Sequence, residues 1–216
     1  MREKGFAPIS VLVGVLVVVG IGAGVFFLFS PKPQEQIQVT QPKQTPVATS
    51  PAVQEGKTAR WKVYTSTAGG FSIKYPPNFT VADFPNMVKL KTVSIRSPDY
   101  KASENPIKVI SGGVIWAGLW SSNDKSTLEQ LKEGMLEYSR EDPSVVIHSE
   151  ERIKVDGVDA LKFVWSTPGG WSDEQVLMFI VKNQKRYNLS IVAEKSRRSE
   201  LNEIFNLMVS TFKFLD

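Results

Sequence analysis

Apolar positions along this 216-residue chain follow three regimes in turn: an unbroken run, a stretch without periodicity, and a long region of alternation. Residues 7–29 hold no charged group over 23 positions, roughly 34 Å of helix at 1.5 Å per residue. That length crosses a hydrocarbon core of ~30 Å with some tilt. A surface helix of a soluble domain keeps a polar stripe, and this run has none. The spacing therefore predicts a transmembrane helix. Residues 30–58 then place Pro31, Pro33, Pro42, Pro46 and Pro51 among Gln, Thr, Ser and Lys. Such a segment buries too little to fold, so it is expected to be a disordered tether with an r.m.s. reach of ~30 Å.

From residue 59 onward the pattern is that of a folded domain. Residues 61–65 and 71–75 alternate apolar with polar side chains around Ala68-Gly69-Gly70, which predicts a hairpin. Further strands are expected over 79–82, 87–95 and 107–116. The period then lengthens. Ser126 with Glu129 three residues on marks a helix start, and Leu128, Leu131, Met135 and Tyr138 supply its buried face. Glu129, Glu133 and Glu137 form an acidic stripe on another face, either solvated or facing a basic partner. Strands over 145–155, 158–166, 171–181 and 187–193 follow. The first two turn on Asp156-Gly157, a strong hairpin signal, and Pro168-Gly169-Gly170 makes the next turn. A helix over 197–209 buries Leu201, Ile204, Phe205 and Met208, and residues 211–214 close the chain. Consecutive strands with tight turns and two amphipathic helices predict an α+β fold with one central, mostly antiparallel sheet.

Arg2 and Lys4 precede the apolar run and favour an N-terminus (residues 1–6) in the cytoplasm, with the domain of residues 59–216 outside. A cleavable signal peptide fits poorly, because the small residues Gly20 to Gly24 lie inside the run and five apolar residues follow them. Lys4-Gly5-Phe6 resembles a type IV prepilin processing site, which implies cleavage after Gly5 and a structural, pilin-like role. In that family the fifth residue after the cut is Glu, and here it is Ser10. Gly20 and Gly24 also have the spacing of a close helix–helix contact.

Composition removes several function classes. The chain has no cysteine, hence no disulfide, thiol nucleophile or Cys-ligated metal. The formal charge of +4 divides evenly, with five basic and three acidic residues over 1–58 and 21 and 19 over 59–216. A domain so nearly neutral has no excess to drive nucleic-acid binding. His148, the sole histidine, falls among Glu150 and Arg152 on the polar face of its strand, away from Val145, Ile147, Ile153 and Val155. It is expected at the surface. Ser122 to Lys125 matches Ser-x-x-Lys without its companion motifs. Asp156 with Asp159, and Asp173 with Glu174, lack the spacing of a calcium loop. Gly112-Gly113 precedes a strand rather than a helix, so it cradles no phosphate. No catalytic residue, metal or cofactor is expected.

Two surfaces are candidates for binding. Trp116, Trp120 and Trp171 lie near predicted strand ends and suit a ligand groove or a lipid headgroup region, although Trp in such places also covers core edges. Lys182, Lys185, Arg186, Lys195, Arg197 and Arg198 form a second set, suited to anionic lipid or a wall polymer.

The segment Gly70-Phe71-Ser72-Ile73-Lys74-Tyr75-Pro76-Pro77-Asn78-Phe79, the turn Val155-Asp156-Gly157-Val158-Asp159-Ala160, Tyr187-Asn188-Leu189-Ser190-Ile191 and the closing Met208-Val209-Ser210-Thr211-Phe212 together resemble the PsbP/Mog1-like group over about residues 61–214. The resemblance implies an α-β-α sandwich and, since most members are not enzymes, a non-enzymatic role. These motifs are turns and core positions, so no ligand-binding residue carries over. The expectation is a single-pass, extracytoplasmic interaction or ligand-binding protein of the cell envelope, with a protein, lipid or wall-polymer partner. A pilin-like component and an enzyme acting on cell-surface material are the alternatives.

Overall fold

The alternation becomes strands in the computed structural model, which describes residues 56–83, 91–104, 108–167 and 174–215. The expected span over 7–29, the tether up to residue 55 and the Pro168-Gly169-Gly170 turn lie outside the described residues. In chain order come β1 (Lys62–Ser66), β2 (Phe71–Tyr75), β3 (Thr80–Asp83), β4 (Lys91–Arg96), β5 (Lys101–Ala102), β6 (Val109–Ser111) and β7 (Gly113–Ser121). They are followed by α1 (Leu128–Glu141), β8 (Val146–Val155), β9 (Val158–Ser166), β10 (Gln175–Lys182) and β11 (Lys185–Ala193). A 3-10 turn (Lys195–Arg197) leads into α2 (Arg198–Ser210), and β12 (Lys213–Phe214) closes the chain.

Among the described residues the single predicted sheet is three. Seven strands form the large one in the order β3-β4-β7-β11-β10-β9-β8, β1-β2-β12 form a small one, and β5-β6 a two-stranded ribbon. Every pairing among the described strands is antiparallel. Alternation sends the two faces of the large sheet into different cores. Ala160, Met178, Ile180, Leu189 and Ile191 meet Leu201, Phe205 and Met208 of α2 together with Phe71 and Ile73 of the small sheet. Leu161, Phe163 and Phe179 turn the other way, onto Met135 with Leu128 and Leu131 of α1. One helix therefore lies on each side, and the small sheet shares the α2 side.

Local corrections have physical causes. The strand expected over 107–116 breaks at Gly112, whose φ is 65°. A Cβ there would stand 2.3 Å from Ser97 Oγ, so glycine alone fits the corner. Thr127, not Ser126, caps α1. Gln130 N donates to Thr127 Oγ1 at 3.2 Å and Thr127 N donates to Gln130 Oε1 at 2.9 Å. Ser126 N is taken instead by Asp124 Oδ1 at 2.9 Å, which moves the helix start on by one residue. Within α1 only Met135 is fully buried, and Leu128, Leu131 and Tyr138 are half-buried. On the acidic stripe Glu129 pairs with Arg152 of β8, while Glu133 and Glu137 are exposed.

The β8 strand corrects the period-two expectation. Ile147 stands opposite Trp165 but Ser149 stands opposite Val164, so one extra residue, His148, forms a bulge. Parity flips there. Ile147 joins the α1 core, whereas Ile153 and Val155 join the α2 core, although all three occupy odd positions.

Candidate functional site

Trp116 and Trp120 are strand residues. Trp116, on β7, stands between Ser94 of β4 and Ser190 of β11. It is half-buried and packs on the small cluster of Val109, Val114 and Val192 with Tyr100, whose ring lies 5.3 Å from the Arg96 guanidinium. Trp116 thus covers a core edge. Trp120, also half-buried, is the residue left over where β7 and β11 slip register: Leu119 pairs with Tyr187 and Ser121 with Arg186. Trp171 lies outside the described residues.

The six basic residues do not form one patch. Lys182, Lys185 and Arg186 sit at the β10–β11 turn, and Lys195, Arg197 and Arg198 at the other end of β11, about 25 Å away at ~3.4 Å per residue. The second group is largely neutralised. Arg197 bonds Asp99 and, through Nε, Glu200 at 2.8 Å, while Arg198 is 3.8 Å from Glu174. Lys195 is exposed.

Of the first group, Arg186 lies alongside Trp120 in the β7–β11 register, while Lys182 and Lys185 turn to the small-sheet side. Arg186 Nε lies 3.1 Å from Asp124 Oδ2, with side chains only 15% and 10% exposed. The approach falls off the hydrogen-bonding direction, so the contact is an ion pair. Burial pulls the guanidinium below its ordinary pKa and Asp124 opposes that pull; Arg remains charged. Asp124 N also donates to Gln184 O at 2.7 Å, which fastens the turn of Asn183 (φ 52°) and Gln184 (φ 59°) to the loop ahead of α1. The Lys182 ammonium lies 4.6 Å from the centre of the Phe214 ring, and Lys185 is exposed at the tip. Behind them Tyr187 is buried, which raises its phenol pKa. The result is an end of the sheet that carries an aromatic side chain and cationic side chains. That arrangement suits contact with an anionic or sugar-bearing surface.

A family profile described as PsbP-like protein matches residues 12–214. The chain belongs to the PsbP-like family. The solution structure of cyanobacterial PsbP (CyanoP) from Synechocystis sp. PCC 6803 is similar at 12% identity and TM-score 0.48, over 71% of this chain and 91% of that one. The Ran-binding protein Mog1p of Saccharomyces cerevisiae is similar at 16% identity and TM-score 0.46, over 73% and 96%. No curated protein matches the chain. The PsbP-like match starts at residue 12, well ahead of about residue 61, where the resemblance was expected to begin.

Within this PsbP-like domain, sequence reasoning missed two pairings. Asp156, the turn residue also weighed with Asp159 as a calcium pair, holds a positive φ of 48°. Its carboxylate also accepts from Lys213 Nζ at 2.7 Å and from Phe214 N at 3.1 Å, tying the β8–β9 turn to β12. Burial alone would raise its pKa, but these hydrogen bonds and the charges of Lys213 and Lys182 outweigh burial and lower it. His148 is exposed as expected, and its Nε2 stands 2.8 Å from Ser166 Oγ. No acidic side chain orients the ring among the described residues, so the pair lacks the third member of a nucleophilic triad. Asp159 is engaged by Lys154 at 2.7 Å. Among the described residues no three His, Asp or Glu side chains gather as a metal site.

Proposed function

We propose that this PsbP-like chain is a membrane-anchored, extracytoplasmic interaction or ligand-binding protein of the cell envelope, without catalytic activity of its own. The reading of location is supported by the 23 uncharged positions of residues 7–29, preceded by Arg2 and Lys4. Among the described residues no helix is long and apolar enough to cross a membrane, so residues 7–29 bear the anchoring role in this proposal. The observation that carries the interaction reading is the register slip that sets Trp120 alongside Arg186 at the end of the sheet whose turn bears the exposed Lys185.

Two measurements test it. The full chain should stay with membranes through an alkaline carbonate wash, with its domain open to protease from outside and an intact N-terminal mass. A mass beginning at Phe6 would favour the pilin-like alternative instead. For binding, full chain in detergent is sedimented with purified envelope fragments. Trp120→Ala and Lys185→Glu should each lower the bound fraction several-fold while leaving the fold unchanged by circular dichroism. Binding indifferent to both substitutions would sink the site.

A further inference from the structure

Three strands in the middle of the large sheet carry a strip that no helix packs against among the described residues. Asn188 of β11 stands opposite Gly118 of β7, which stands opposite Thr92 of β4. In the next row Ser190, Trp116 and Ser94 are matched in the same way. Residues paired across antiparallel strands share a face, and Asn188 and Ser190 also stand opposite Phe179 and Leu177 of β10. The strip is therefore on the face where α1 lies. The apolar contacts of α1 reach Leu177 and Phe179 but include no residue of β11, β7 or β4. From the other end Val109 of β6 and Tyr100 pack on Val114 and Val192. Between α1 and the β5–β6 ribbon the strip is three strands wide, about 10 Å at ~4.8 Å per strand gap.

Its lining is aromatic and polar. Leu119 faces α2, so alternation puts Trp120 on the same face as Trp116, about 14 Å along β7. Both tryptophans are half-buried. Between them the floor is bare backbone, because β4 comes so close at Gly118 that a Cβ would stand 2.3 Å from Lys91 O. On either side of that glycine Thr92 Oγ1 and Asn188 Oδ1 are buried without a hydrogen bond, as is Arg96 Nε further along β4. A buried polar atom left unmet costs stability, and native domains keep few of them. Two such atoms flanking one glycine between two indoles are explained by a ligand. Thr92, Asn188 and Arg96 all keep partial exposure, so a side-chain rotation of the kind common on binding presents these atoms to it.

We infer that this strip binds an uncharged oligosaccharide, its rings stacked on Trp120 and Trp116 and its hydroxyls donating to Asn188 Oδ1 and Thr92 Oγ1. The inference rests on the ligand-binding reading above: it names the ligand class and extends the site from Trp120 along β7. A hydroxyl both donates and accepts, so a sugar satisfies the two oxygens and Arg96 Nε alike. An anionic chain would need cations along the floor, and the two central rows hold none. Arg186, at the Trp120 end, is already paired with Asp124. A proline-rich peptide also stacks on tryptophan, but its prolyl residues bring no N–H for the two orphaned oxygens. The two indoles stand too far apart to grip one ring, which selects a chain of several.

Full chain in a detergent without a sugar headgroup is titrated by calorimetry with cellotetraose and with chitotetraose. One of the tetramers should bind roughly ten-fold or more tightly than its monosaccharide, since two stacking sites act together. That binding should persist in ~1 M salt, where the Debye length is ~3 Å. Thr92→Val and Asn188→Leu remove the orphaned oxygens at similar volume, and each should weaken the tetramer roughly five-fold. Because both atoms are unmet in the free domain, neither substitution should lower the melting temperature. A lower melting temperature with tetramer binding intact assigns the two residues to the fold and overturns the site. No heat with either tetramer, or tighter binding of a proline-rich peptide or an anionic polysaccharide, overturns the saccharide assignment. If the tetramers fail while envelope fragments still sediment the chain in a Trp120-dependent way, this inference falls and the ligand-binding reading stands. A chain that binds a tetramer but ignores the fragments keeps the strip and overturns the envelope reading.

Discussion

Removing the Asp124 carboxylate should destabilise the domain by about 2–4 kcal/mol, mostly through the charge it leaves behind. In the native structure Asp124 and Arg186 are 10% and 15% exposed and 3.1 Å apart. Breaking a fully buried pair by deleting one partner costs ~3–5 kcal/mol. The residual exposure here lets solvent screen part of the stranded guanidinium and brings that to ~2–3. Ser126 N also loses its acceptor at 2.9 Å, which adds ~0.5–1 kcal/mol. Asp124→Asn keeps an amide oxygen for Ser126 but not the charge, so it should fall between parent and Asp124→Ala. Asp124→Ala/Arg186→Met removes both charges and should recover ~1–2 kcal/mol of the single-variant loss. The assay is urea unfolding of residues 48–216, with midpoints falling at constant m-value. A midpoint for Asp124→Ala within ~0.5 kcal/mol of the parent, or a double variant worse than the single, would refute the reasoning.

Other substitutions test other links. Gln184→Gly should stabilise the same domain by ~0.5–1 kcal/mol, since Gln184 holds a φ of 59° that glycine adopts without strain; a lower unfolding midpoint would count against it. Phe212→Ala should cost ~3–5 kcal/mol, because Phe212 is fully buried and stacks on Phe71 at 5.3 Å while meeting Tyr187 and Phe214 edge-on. Its signature is loss of near-ultraviolet dichroism at lower temperature. Asp156 has a pKa depressed below 3.8, so its stabilising contribution is complete above that pH and is lost as pH falls through the folded value. Parent and Asp156→Asn should differ in melting temperature at pH 7 and converge once the pH falls below the folded value, whereas a gap independent of pH would remove the ionic explanation.

The sequence by itself determined the elements that local physics controls. Alternation marked most strands, and Asp156-Gly157 marked the β8–β9 turn, because one left-handed pair closes a hairpin whatever surrounds it. The 3.6-residue spacing marked both helices, and the family resemblance rested on the same turns and core positions. Tertiary structure decided what depends on a partner strand or a distant side chain. The His148 bulge exists only against β9, so the face of Ile147 could not be had from parity alone. A tight run of basic residues from Lys182 to Arg198 divided between two ends because β11 is extended and carries them apart. Asp124 and Arg186 are 62 positions apart in sequence and meet because β7 pairs with β11. Nothing in either local segment specifies that pairing. It follows from burying two unlike faces of one sheet at once, a condition that only the whole domain can satisfy.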